Sequence, residues 1–117
     1  MEFTFSKQLH YLIHTADGEQ VAHCLDMDLV GSGETNEEAI AELNSAVRAL
    51  VFFAVKTQTF DIEAICKRAP ERYWDMYEDA KHATGVETHT LDVSPEIAPV
   101  TVQQCNFTYC LAYAAAA

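Results

Sequence analysis

Apolar side chains recur at every second position near the start of the chain. Phe3, Phe5, Leu9, Tyr11 and Ile13 share one parity, the period of a half-buried strand. Asp17-Gly18 follows, a pair that supplies the positive φ angles of a tight hairpin turn. Residues 20–25 then read as the returning strand. With Asp17-Gly18 at the centre of the turn, Ala16 pairs with Glu19, His14 faces Val21 and Leu12 faces His23. His10, His14 and His23 thereby share a sheet face with Leu12, Val21 and Leu25. The opposite face carries Tyr11, Ile13, Ala22 and Cys24, and a helix is expected to pack there.

Leu29-Val30-Gly31-Ser32-Gly33 predicts a third short strand or a bulged edge, its glycines marking tight backbone geometry. Thr35-Asn36-Glu37-Glu38 is a capping box. The Thr35 hydroxyl accepts from the N–H of Glu38, and the Glu38 carboxylate reaches back to the N–H of Thr35. A helix over residues 36–55 follows. Ile40, Leu43, Val47, Leu50 and Ala54 repeat at steps of three and four, with Glu37, Glu42, Asn44, Ser45 and Arg48 between them. Its acidic first turn suits the positive end of the helix dipole. In the last two turns Val51, Phe52, Phe53 and Val55 extend apolar surface around the circumference. Something beyond one core must therefore cover Phe52 or Phe53.

After a break at residues 57–60, Pro70 heads a second helix that Gly85 stops. Tyr73, Met76, Tyr77 and Ala80 form its apolar stripe. Residues 86–93 alternate weakly, as a further strand would, and residues 94–99 form a proline-bounded loop. Residues 100–113 read as a last strand with Cys105, Phe107, Tyr109, Leu111 and Tyr113 on one side. The pattern predicts an α+β fold in one domain over residues 1–117. A β-β-β-α core spans 1–56, and an extra helix with C-terminal strands spans 57–117, all on an antiparallel sheet.

The 117 residues suit one domain, and half of them are hydrophobic, enough for a core. Eighteen acidic residues against seven basic ones give a net charge of −11. Nucleic acid is gripped by Lys and Arg against phosphate, so direct nucleic-acid binding is not expected. A basic protein partner is the better electrostatic match, although the same charge also serves solubility. The apolar runs fall short of the roughly 18 residues of a membrane span, and Met1-Glu2-Phe3 does not open a secretory signal. A cytoplasmic location without membrane attachment is the expectation.

The segment from Cys24 through Gly33-Glu34-Thr35-Asn36-Glu37-Glu38-Ala39 to Ile40, joined to the hairpin before it, resembles the HicB-like antitoxin domains over about residues 8–55. The resemblance implies a partly open, double-stranded-RNA-binding-like or ferredoxin-like sandwich, usually oligomeric. It also implies a partner, a small basic toxin that cleaves RNA and is blocked by the antitoxin. Residues 57–117 match neither the helix-turn-helix nor the ribbon-helix-helix module of the family's repressors. A Pro-containing segment often precedes the Gly in the family and is missing here.

The candidate chemistry is sparse. His10, His14 and His23 on one face would make a metal site or a pH-sensitive patch, or else amphipathic packing at a less buried face or subunit interface. Asp26, Asp28 and Glu34 read as a solvated rim, or as a cation site. Cys24, Cys66, Cys105 and Cys110 lack metal-ligand spacing and are expected to act as small hydrophobes. His23 and Cys24 adjoin but point to opposite faces of a strand, so they form no catalytic dyad. The chain has no G-x-S-x-G, P-loop or G-x-G-x-x-G. The expectation is a non-enzymatic protein without a cofactor, with two functions open. One is an antitoxin-type subunit that covers a basic ribonuclease. The other is an orphan homo-oligomer with a structural or small-ligand role. Leu12, Val21, Leu25, Phe52 and Phe53 are the expected interface residues, because one small core does not absorb all of them.

Overall fold

The computed structural model describes residues 3–57, 66–91 and 102–114. The hairpin joins β1 (Phe3–Ala16) to β2 (Glu19–Cys24). Asp17 and Gly18 take φ angles of 52° and 79°, so the turn matches the twist of its strands. The register follows: Leu12 pairs with His23 and His14 with Val21. β3 (Leu29–Gly33) runs antiparallel along β2 from Leu29 opposite Cys24 to Gly33 opposite Gln20, without a bulge.

α1 (Asn36–Lys56) begins at its cap. The Glu38 N–H donates to Thr35 Oγ1 at 3.1 Å. The reciprocal bond falls one residue earlier than expected, because the Glu38 carboxylate accepts from the N–H of Glu34 at 2.8 Å. Ala39, Leu43, Val47, Val51 and Ala54 are buried against Tyr11, Ile13, Ala22 and Cys24, with Ile40 and Leu50 half-buried at the flanks. Val51, not Leu50, continues the centre of the stripe. Asn44, expected on the polar side, is buried and accepts a hydrogen bond from the Tyr11 hydroxyl at 2.9 Å. Burial first, then the neighbouring Cys24 and Tyr109, holds the Tyr11 phenol far above its ordinary range. Its proton therefore stays available to Asn44. The helix ends where the Thr57 hydroxyl donates to the Phe53 carbonyl at 2.9 Å.

α2 (Glu71–Thr84) lies between Pro70 and Gly85, and its end is closed by the Gly85 N–H on the Lys81 carbonyl at 2.8 Å. β4 (Glu87–Leu91) and β5 (Val102–Tyr113) complete a five-stranded sheet in the order β3-β2-β1-β5-β4. Of the sequence expectations, the 94–99 loop, the Val55 side chain and the side chains of Phe3, Phe5 and Cys105 lie outside the described residues.

The sheet is mixed, which corrects the expected antiparallel one. β5 runs parallel to β1, with Leu9 beside Tyr109 and Tyr11 beside Leu111, and pairs antiparallel with β4. Alternation identifies a strand but not its direction. A parallel central pair is favoured here because both of its faces are covered. Leu9, Tyr11, Ile13, Phe107 and Leu111 are buried in the core with α1, while Leu12 and Ala112 are buried with α2.

The approach of β3 to α1 depends on Gly31. A Cβ there would meet the Ala39 carbonyl oxygen at 2.5 Å and Leu43 Cα at 2.9 Å, both of them main chain. Neither atom moves without shifting the helix. Gly31→Ala is expected to cost about 1–3 kcal/mol, the usual range for overpacking a tight contact. Urea denaturation of the two proteins measures it, and an unchanged midpoint would contradict this packing.

Candidate protein-interaction surface

The three histidines share one face of the β1–β2 hairpin, as their parity requires, and α2 lies over that face. His10 sits between Trp74 and Tyr77, with ring centroids 5.3 and 5.4 Å away. His23 meets the Tyr73 ring edge-on at 4.7 Å, and His14 lies 6.3 Å from the same ring. Leu12, Leu25, Ala69, Tyr77, Ala80 and Ala112 form the second, smaller core beneath the helix. The stripe of α2 differs from expectation at one position: Trp74 packs against this core, while Met76 is 36% exposed. Arg68 and Arg72 lie over the rings of Trp74 and Tyr73 at 4.3 and 4.7 Å. These two cations thus cover aromatic surface.

Asp26 and Asp28 do not form a solvated rim. His10 Nδ1 lies 3.0 Å from Asp26 Oδ2, and the His10 N–H donates to Asp26 Oδ1 at 2.6 Å. His23 Nε2 lies 2.7 Å from Asp28 Oδ1. The Asp26 and His23 side chains are only 8% and 5% exposed, so each nearly buried polar group has a partner in the other strand or in the turn. Asp28 takes a φ of 52°, a left-handed conformation that Asp tolerates better than most residues. Glu34 is exposed and its N–H serves the helix cap. The signal for the first pair was present: extending the hairpin register to Leu25 opposite His10 brings Asp26 beside His10.

His14 has no such carboxylate contact among those described. Burial first, and then the neighbouring His23, holds its imidazole below the ordinary 6.5, against an opposing hydrogen bond with the Thr15 backbone. Burial also pushes the Cys24 thiol up to about 12, which leaves almost no thiolate and makes this cysteine an inert part of the core. Among the described residues no group of three or more His, Cys, Asp or Glu side chains is placed to hold a metal ion. No described helix is long and apolar enough to cross a membrane.

The expected interface separates into two parts. Leu12 and Leu25 are fully buried in the chain, because α2 covers the hairpin face that had been assigned to a partner. This corrects their place in an interface, and Val21 is half-buried beside them. Phe52 and Phe53 remain 49% and 60% exposed. They project from the last turns of α1, where Val51 and Ala54 are the fully buried positions among the described residues. The chain matches no family model, no curated protein and no solved structure.

The lowered His14 fixes the sign of one pH effect. The unfolded chain binds a proton at His14 more readily than the folded one, so stability contributed here is complete above 6.5 and falls as pH drops through that value. Between about pH 7.5 and about pH 5.5 the wild type should lose more stability to urea than His14→Asn. Parallel pH dependences for the two proteins would refute the assignment to His14.

Proposed function

We propose that this chain is a protein-binding subunit of the HicB-like antitoxin type, whose partner is a small basic protein that cleaves RNA. The observation that carries the reading is the Phe52–Phe53 pair, exposed at the end of α1 on a chain with a net charge of −11. Large aromatic side chains are the usual anchors of protein interfaces, and the acidic field favours and accelerates encounter with a cationic partner. The β-β-β-α order of residues 1–56 agrees with the architecture that the resemblance implies. Contact with nucleic acid would fall to the partner, since this chain's own field repels phosphate.

A second reading is a homo-oligomer without a toxin, in which Phe52 and Phe53 of two copies cover one another. The exposed pair favours it equally, because apolar surface on adjacent helical positions is covered by a symmetric contact. With Leu12 and Leu25 occupied by α2, such an interface would be centred on the end of α1 and not on the hairpin.

Two measurements test these readings. The tagged chain, purified from its native host, should retain a smaller protein rich in Lys and Arg that degrades RNA alone and stops when this chain is added back. Recovery of no such ribonuclease, or equal recovery by Phe52→Ser/Phe53→Ser, would defeat the antitoxin reading. For self-association, sedimentation equilibrium should give a species heavier than the 13.0 kDa chain, reduced to chain mass by the same double substitution. Chain mass for the wild type would defeat the oligomer.

A further inference from the structure

A groove of about 360 Å³ separates the N-terminal half of α1 from β4 and β5. It is on the sheet face opposite His10, His14 and His23 and within the size range of small-ligand sites. Its floor is aromatic. Tyr109 stacks on the buried Tyr11 at 4.6 Å with an interplanar angle of 14°, and His89 stacks on Tyr109 at 5.3 Å and 21°. Tyr113 closes the floor, its hydroxyl 3.4 Å from Glu87 Oε2.

Two carboxylates edge this floor, one of them beside the His89 imidazole. Glu37 enters from the first turn of α1 and Glu87 from β4. The Tyr113 phenol is raised above its ordinary 10.0, by burial first, then by Glu87 and Glu37, so both carboxylates act on the same hydroxyl. Asn36 Oδ1, also in the wall, is a buried atom with no hydrogen-bond donor among the described residues. No described lining residue is Lys or Arg. His89 Nε2 and the Tyr113 hydroxyl each stand 3.4 Å from Glu87 Oε2, long for hydrogen bonds, and a carboxylate offers about four acceptor positions.

We propose that this groove binds a guanidinium group, stacked on the Tyr113 ring and held by the Glu37 and Glu87 carboxylates. An anion is repelled by both carboxylates. A neutral donor leaves their charge uncompensated. An ammonium supplies charge but no flat face, whereas guanidinium supplies charge, a plane that stacks on aromatic rings and five N–H donors in fixed directions. The site stands apart from the antitoxin reading, because a free guanidinium compound and an arginine of a protein partner carry the same chemistry.

An NMR titration of the labelled chain separates the possibilities. Arginine amide should produce saturable shifts at Glu37, Glu87, Tyr109 and Tyr113. Lysine amide should bind about tenfold more weakly, and citrulline amide, its neutral isostere, should leave the spectrum unmoved. Glu37→Gln/Glu87→Gln should weaken arginine amide by at least about tenfold. The Glu87 side chain is 61% exposed, so Glu87→Gln alone provides a folded variant in which a partial loss is expected. A capped peptide with one arginine that binds about tenfold tighter than the amide identifies a protein as the source, and equal binding identifies a free compound. Citrulline amide binding as well as arginine amide, shifts that never saturate, or full affinity in the double variant would overturn the site.

Discussion

Burying β1 on both faces is the constraint on which the rest of this fold depends. Its residues alternate between Leu9, Tyr11 and Ile13 on one side and His10, Leu12 and His14 on the other, and Tyr11 and Leu12 are both fully buried. A strand with apolar groups on both faces belongs at the centre of a sheet covered by helices on each side. β2 and β5 supply its two neighbours, and α1 and α2 supply the two layers. The placement of β5 beside β1 and that of α2 over the hairpin are consequences of the same requirement.

The two layers are held in different ways. Under α1 the contact among the described residues is hydrocarbon and stacked rings, with a buried polar contact in which the Tyr11 hydroxyl donates to Asn44 Oδ1. Such a pair sets the rotation of the helix on the sheet, because misplacing it leaves two buried polar groups unpaired. Under α2 the apolar core is small, and much of the contact consists of histidine rings against Tyr73, Trp74 and Tyr77. Of these imidazoles, His14 is held below its ordinary 6.5, by burial first, so this layer carries the pH dependence argued above.

Local rules made the first half of the chain legible. Asp17-Gly18 sets the hairpin register, and register with parity assigns the described β1 and β2 side chains beside the turn to a face. The capping box marked the start of α1 to the residue. The features missed are those that depend on contacts the local pattern does not show. Asn44 reads as polar and exposed until Tyr11 is seen to point at it. Asp26 and Asp28 read as a rim until the turn folds them back to His10 and His23. Trp74 and Met76 are two positions apart on α2, and only the location of the sheet decides which is covered. The direction of β5 was likewise invisible, since alternation has the same period in parallel and antiparallel strands. Leu12 and Leu25 were assigned to a partner because apolar surface shows that a cover exists, not whether the same chain provides it.

With the histidine face closed by α2, the acidic groove and the exposed Phe52 both belong to the other layer. Glu37, Ala41, Arg48 and Phe52 follow one flank of α1 at helical spacing, so the acidic groove and the exposed Phe52 lie along the same side of one helix. Fifteen residues separate Glu37 from Phe52, a rise of about 22 Å. A partner that filled the groove with a cationic side chain and covered Phe52 with an apolar one would span four turns of α1. It would be oriented by them as well, because the two ends of the flank differ in chemistry: carboxylates at the start, aromatic carbon near the end. Reversing the partner would leave its cation without a carboxylate and set its apolar group among carboxylates. Two chemically unlike contacts at fixed separation therefore discriminate direction as well as identity, which either contact alone would leave open.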